Sequence, residues 1–166
     1  MPVKSPKPPA AREMPSWKKA AAGWHMLQQA GLPAHPVLAA DTTVALHNRI
    51  LGKPESAEHA REMLQNLSGS VHQVLTAVSV HWQGHTYHHT QQSDVAFKTL
   101  NEAEISAYIA GGEPMDKAGA YGIQGLGGVF VADLRGSFTG VMGLPVYETM
   151  ALLAQCGLAV PPFQTA

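Results

Sequence analysis

Several stretches of the chain hold residues whose type and spacing could do chemistry. Asp41 follows the apolar run Val37-Leu38-Ala39-Ala40, which reads as a buried strand ending at the carboxylate. A carboxylate there can act as general base or hold a hard cation. A turn-forming aspartate bonded to its own backbone is the plainer alternative. Lys53 stands in a Gly52-Lys53-Pro54 turn, where proline fixes the backbone and so part of the lysine's direction. It could neutralise phosphate, or simply be a solvated turn residue.

Residues 116–128 read DKAGAYGIQGLGG, with glycine at 119, 122, 125, 127 and 128. Without Cβ atoms, backbone can approach a flat ligand closely. Gln124 among them offers one acceptor and two donors, suited to a base edge, and Asp116 could assist a metal. The alternative is a tight connection that needs positive φ. Neither the P-loop nor the dinucleotide fingerprint is spelled here, and no Gly-x-Ser-x-Gly nucleophile elbow occurs. His81, His85, His88 and His89 gather around one predicted hairpin. Paired histidines four apart bind zinc on a helix, where they share a face; on an alternating strand they favour a polar, solvent-facing reading. His72 reads as structural, Cys156 as an inert buried thiol, and Trp17, Trp24 and Trp82 as packing groups.

The elements that must hold these residues can be read in outline. Residues 16–30 form a helix that Ser16 can cap and Gly31 can end, with Gly23 as a weak point. Residues 37–40 form the short strand, and 43–51 a hairpin around His47-Asn48. Ala60, Met63, Leu64 and Leu67 recur at spacings of three and four, which places a helix over 57–67 after a Ser56 cap. Residues 71–82 alternate as a strand, with Val74, Val78, Val80 and Trp82 on one face. Gln83-Gly84 turns the chain into a second strand over 85–97. Asn101 and Glu104 resemble a capping box for a helix over 101–110. Eight glycines fall in 119–144. Pro145 suits the first residue of a last helix, with Gly157 past its end.

The 166 residues fit one domain, 16–158, between a proline-rich segment 1–15 and a short tail 159–166, both expected to be loose. Apolar residues make up 45% of the chain and charged residues 14%, and net charge is −1 with histidine neutral. That balance supplies no basic excess for nucleic-acid binding and no signature of global disorder. No apolar run approaches the roughly 18 residues of a membrane span. One cysteine closes no internal disulfide and no cysteine-based zinc site. A cytoplasmic setting is the expectation.

The segments PVLAADTTV, ILGKPESAEHAREMLQNLSGSVHQVLTAVSV, EISAYIAGGEPMDKAGAYGIQGLGGVFV and GSFTGVMGLPVYET occur in this order. Together they resemble the Maf-like nucleoside triphosphate pyrophosphatases from about Lys19 to Leu158. The joint signal of Asp-Thr, Gly-Lys-Pro, Leu-Ser-Gly-x-x-His-x-Val and Asp-Lys-Ala-Gly-x-Tyr-Gly-Ile-Gln-Gly is highly specific. The resemblance implies an α/β fold, a mixed sheet with flanking helices in two lobes around a cleft. It implies hydrolysis of a nucleoside triphosphate, of the dTTP and UTP branch, to monophosphate and pyrophosphate with a divalent cation, Mg2+ or Mn2+. Homodimers are common in the family, and neither a nucleic acid nor a membrane is an expected partner. By the same resemblance Asp41 matches the general base and Lys53 the phosphate-holding lysine. Lys19 matches the lysine of the first conserved helix. Thr42 and Gln124 match positions tied to base selection, and Asp116 and Lys117 the motif beside the cleft.

In one respect the chain departs from the pattern. Family members begin with a strand leading into a Ser-x-Arg-Arg segment and then a glutamate near the metal, which Ser5-Pro6-Lys7 echoes only in part. The chain is therefore expected to lack the family's first strand, two guanidiniums and a carboxylate, contacts that lysine does not replace. A misassigned start, a truncated remnant of weak or no activity that binds nucleotide as a regulatory module, and a gap filled by the proline-rich segment or another chain are the open readings.

Overall fold

A computed structural model describes residues 16–158; the segments expected to be loose, 1–15 and 159–166, lie outside the described residues. In chain order the elements are α1 (Ser16–Gln29), β1 (Val37–Leu46), β2 (Arg49–Leu51), α2 (Ala57–Leu67), β3 (Val71–Trp82), β4 (His85–Phe97), α3 (Glu102–Ala110), β5 (Val131–Arg135), α4 (Phe138–Met142) and α5 (Val146–Gln155). Tight 3-10 turns at Glu113–Asp116, Ala118–Ala120 and Leu126–Phe130 carry the chain from α3 to β5. No described helix is long and apolar enough to cross a membrane.

The strands form one sheet in the order β2-β1-β3-β4-β5. The α/β class stands, but every pairing among the described residues is antiparallel, where a mixed sheet was the expectation. The physical reason lies in the connections. His47-Asn48 and Gln83-Gly84 close hairpins, with both residues of the first and both of the second at positive φ. A parallel neighbour needs a crossover that returns the chain to the same direction; α2 makes one between β2 and β3, but β1 lies between them, so the two run alike without pairing.

β1 also runs through Asp41 to Leu46, so the aspartate sits in mid-strand and not at a strand end. Thr42, Thr43 and Val44 continue the extended backbone because β3 pairs the whole stretch, Asp41 opposite Ala77 and Thr42 opposite Thr76. A polar residue does not end a strand when its partner strand continues.

β3 is buried on both faces, beyond the single face its alternation suggested. Its odd side chains lie under α1, where Ser16 Oγ meets Ser79 Oγ at 2.8 Å. That contact uses the hydroxyl expected to cap the helix. Gly23 lets α1 lie close to the sheet, since a Cβ there would stand 2.8 Å from Val37 Cγ1. Of the even side chains, Trp82 at the strand end departs from the face expected of it and meets Trp24 of α1, while the valines divide between two clusters. A larger one joins Val44, Val74, Val95 and Phe97 to Leu64 and Leu67 of α2, Ile105 and Tyr108 of α3, and Tyr121 and Phe130. A smaller one sets Leu152 of α5 on Val78 and Val80. Each fully buried leucine contributes about 1.5–3 kcal/mol relative to exposure.

Local signals explain the helix positions. Ser56 Oγ accepts the His59 N–H at 3.0 Å at the start of α2. Asn101 and Glu104 form the reciprocal capping box of α3. Arg61 of α2 pairs with Glu102 of α3 and donates to Ser106 Oγ at 3.1 Å, which fixes the two helices side by side. Pro145 precedes α5 by one residue, and Gly157 follows it at positive φ.

Candidate active site

The residues singled out from the sequence fall into two groups on opposite faces of β1. Successive side chains of a strand leave the sheet on alternate sides. Asp41 therefore turns toward α1, where Lys19 Nζ stands 3.1 Å from Asp41 Oδ1, both side chains part-exposed. Thr42 turns the other way. Its Oγ1 lies 2.9 Å from Thr76 Oγ1, and Thr76 donates onward to the Gly140 carbonyl of α4 at 2.6 Å.

On the Thr42 side a cavity of about 210 Å³ is lined by Thr42, Val44, Val74, Lys117, Tyr121 and Gln124, with Val141 and Met142 of α4 closing it. It is smaller than the roughly 300–1,000 Å³ of sites that enclose drug-sized ligands. It can take one ring system, with the rest of a larger ligand outside.

The glycines from 119 to 128 decide how the polar residues reach this cavity. Gly119 has φ +74°, and a Cβ there would stand 2.9 to 3.1 Å from three atoms of Val44. Its N–H donates to the Gly52 carbonyl at 3.0 Å, which joins the Gly-Lys-Pro turn to the glycine-rich segment. Lys53 thus comes close enough to Asp116 to help hold that carboxyl low. The larger causes are the Lys117 hydrogen bond, 2.9 Å from Nζ to Oδ1, and the Lys117 charge. The Lys117 stem crosses Gly122, whose missing Cβ would meet Cε at 2.7 Å. Thr42, Lys117 and Gln124 are thereby brought together, with Asp116 and Lys53 beside them, and Asp41 with Lys19 is not.

One edge of β1 lies between the two groups. β2 pairs with β1 only over Val44–Leu46. Among the described residues nothing pairs with the same side of β1 over 37–43. The Gly52-Lys53-Pro54 turn begins there, just beyond Leu51 opposite Val44. A ligand passing round this open edge can touch groups on both faces.

Sequence reasoning missed three residues around the cavity, Tyr121 in its lining and Glu113 and Tyr108 behind it, while His72 takes the structural place expected of it. Glu113 and Tyr108 stand behind the glycine-rich segment. Burial pushes the Glu113 carboxyl up, but the Gly127 N–H, the Tyr108 hydroxyl and the Leu126 N–H outweigh it and hold it below the usual carboxylate range. Burial and then the Glu113 contact push the Tyr108 hydroxyl up. His72 Nε2 and Tyr121 Oη share a 2.7 Å hydrogen bond beneath the cavity. Burial lowers His72 from 6.5 to about 4 and pushes the Tyr121 hydroxyl up. The only linear signal was a lone carboxylate and two tyrosines among glycines. Their partners lie up to 49 residues away.

The other candidates take structural places. Trp24 packs edge-on to Trp82 at 5.9 Å and against His81 at 5.5 Å, while Trp17 is half exposed beside Lys18. His81 Nδ1 is 2.7 Å from Thr86 Oγ1 across the exposed hairpin. Cys156 packs beside the smaller cluster, and burial raises its thiol. No group of three or more His, Cys, Asp or Glu among the described residues could hold a metal ion by itself. The donors present, Asp41 and Asp116, suit Mg2+ or Mn2+ held by one carboxylate, waters and substrate phosphates.

A family model described as "Maf-like protein" matches residues 2–156, a longer stretch toward the N-terminus than the motifs indicated. A Chromobacterium violaceum protein named "dTTP/UTP pyrophosphatase" is 56% identical over 144 residues, covering 87% of this chain and 73% of the relative. A Nitrosomonas europaea protein of the same name is 54% identical over 142 residues, covering 86% and 69%. A Haemophilus ducreyi "Nucleoside triphosphate pyrophosphatase" is 56% identical over 131 residues, covering 79% and 66%.

Proposed function

The chain belongs to the Maf-like family, and from that premise we propose that it is a hydrolase that converts dTTP and UTP to the monophosphate and pyrophosphate. The observation that carries this reading is the gathering of Thr42, Lys117 and Gln124 around a ring-sized cavity beside the open edge of β1. In this reading the base enters the cavity, where Gln124 and Thr42 read its edge. The triphosphate lies round the β1 edge toward Lys53 and Lys19. Asp41 takes a proton from the attacking water, and the water oxygen bonds the α-phosphorus. The bond from that phosphorus to the α–β bridging oxygen breaks, and pyrophosphate leaves with the electron pair.

Phosphoryl transfer asks for positioning and charge neutralisation more than covalent help, and the lysines supply fixed positive charge. A divalent cation, Mg2+ or Mn2+, held by Asp41 and the phosphates, would add charge neutralisation. Lys19 keeps the Asp41 carboxylate oriented, and Asp116 keeps Lys117 along the cavity wall. A cytoplasmic housekeeping role in the nucleotide pool follows from such chemistry, and a homodimer is compatible with it.

The separation of Asp41 from the cavity favours a second reading, a nucleotide-binding module of weak or no turnover. One experiment divides the two. The purified chain is incubated with a panel of nucleoside triphosphates and Mg2+ or Mn2+, and products are separated by chromatography. Release of dTMP or UMP with pyrophosphate, abolished by chelation, supports the enzyme. Binding of a non-hydrolysable dTTP analogue without release supports the module.

A further inference from the structure

The glycine-rich segment is tied at both ends to one post behind it. Glu113 Oε1 accepts from the Tyr108 hydroxyl at 2.7 Å and from the Gly127 N–H at 3.0 Å. Its Oε2 accepts from the Leu126 N–H at 2.9 Å. The Tyr108 hydroxyl in turn accepts the Gly122 N–H at 3.3 Å. Gln124 stands at the bow between these anchored ends. The post is itself fixed, because Tyr108 is buried and packs edge-on against Phe130 at 4.9 Å. Only glycines admit it. A Cβ at Gly125 would stand 2.5 Å from the Glu113 oxygens, and one at Gly127 would stand 2.6 Å from the Tyr108 oxygen.

We propose that Glu113 and Tyr108 are positioning residues that fix the Gln124 bow and so set which pyrimidine the cavity accepts, without touching the substrate. The inference rests on the pyrophosphatase reading. A thymine or uracil edge offers a carbonyl acceptor beside an N–H donor, which a side-chain amide satisfies with its N–H and its oxygen. Cytosine offers the reverse pair, and the same amide turned over satisfies that as well. Turning over is a rotation at the end of the side chain, so discrimination depends on neighbours that favour one orientation. Gln124 Oε1 lies beside the Lys117 stem over Gly122, where a Cβ would meet both, and the backbone under Gln124 sets that placement. A carboxylate is needed behind it because both of its oxygens accept. A glutamine at 113 would turn an N–H toward a backbone N–H, and a phenylalanine at 108 would keep the packing while losing the link to Gly122.

The test measures kcat/KM for dTTP and dCTP in the intact chain and in Glu113→Gln, Tyr108→Phe, Gln124→Ala and Glu113→Gln with Gln124→Ala. Each of the two post variants is expected to lower the dTTP-to-dCTP ratio by about tenfold or more, as small misplacements do. In the Gln124→Ala background the Glu113 change should alter the ratio no further, because the two act as one unit. A purely structural role would lower both substrates equally, and an unchanged ratio in both post variants overturns the proposal. Amide hydrogen exchange at Gly122, Leu126 and Gly127 reads the post without any turnover. It is expected to quicken about tenfold or more in Glu113→Gln, as freed amides do, and unchanged rates overturn the post. A wild-type chain that turns over no triphosphate overturns the pyrophosphatase reading and the selectivity role with it, while the exchange rates still decide whether the post holds the loop.

Discussion

Asp41 and Thr42 are adjacent in β1 and serve opposite faces of the sheet. The first meets Lys19 of α1 at 3.1 Å, and the second meets Thr76 above the cavity at 2.9 Å. Among the described residues, β2 leaves the edge of β1 unpaired beside both groups, and the proposed ligand path runs round that edge. The relationship separates two kinds of change, those that touch the Asp41 face and those that touch the cavity face.

On the Asp41 face, Asp41→Asn should lower dTTP turnover by about 10²–10⁴-fold, the usual contribution of a placed general base. Stability should hardly move, because a part-exposed pair such as Lys19–Asp41 contributes about 0–1 kcal/mol. Product release and a thermal melt on the same preparation check both halves. Activity retained in the variant would remove Asp41 as the base.

On the cavity face, Gly122→Ala should raise KM for dTTP while leaving the melting temperature close to wild type. The new Cβ would meet the Lys117 stem at 2.7 to 2.8 Å, and a flexible side chain moves aside at little cost. Steady-state kinetics decide, and an unchanged KM would mean that the position of Lys117 across Gly122 is immaterial.

Gly119→Ala should behave differently, because nothing flexible can yield. The residue has φ +74° and presses on Val44 of the core. Left-handed strain costs about 1–3 kcal/mol, and overpacking adds a similar amount. Urea unfolding should show a lower midpoint with an unchanged slope. A wild-type midpoint would show that the turn can move off β1.

His72 makes stability depend on pH below neutrality. Its folded pKa is lowered by burial from 6.5 to about 4, so the unfolded chain binds the proton first as pH falls. The contribution is complete above pH 6.5 and is lost progressively down to pH 4, by about 3 kcal/mol in all. Unfolding curves between pH 7 and pH 4 should show this fall. An NMR titration should find the His72 ring still neutral near pH 5, and a ring that titrates at its ordinary value would refute the assignment.

Much of the secondary structure was legible because its signals are local. The spacing of Ala60, Met63, Leu64 and Leu67 and the cap at Ser56 place α2 at its observed residues, and alternation with a two-residue turn places β3 and β4. The family was legible too, since motifs such as Leu67-Ser68-Gly69 and Gln124-Gly125 are linear strings. The extension of β1 past Asp41 was not, because it depends on pairing with β3, from Thr42 opposite Thr76 to Ala45 opposite Gln73, far along the chain.

What the sequence by itself determined is the set of chemical groups and the local elements that carry them: a carboxylate on a strand, lysines in a turn and on a helix, an amide among glycines. Tertiary structure alone decided which of these meet. Strand alternation sent Asp41 and Thr42 to opposite faces, and the Gly119 contact with Gly52 drew Lys53 toward Asp116. The Glu113–Tyr108 post was settled only when α3 and the glycine-rich segment packed together. Hydrogen-bond reach is a few ångströms in space, whatever the separation along the chain, so such partners exist only in the folded protein.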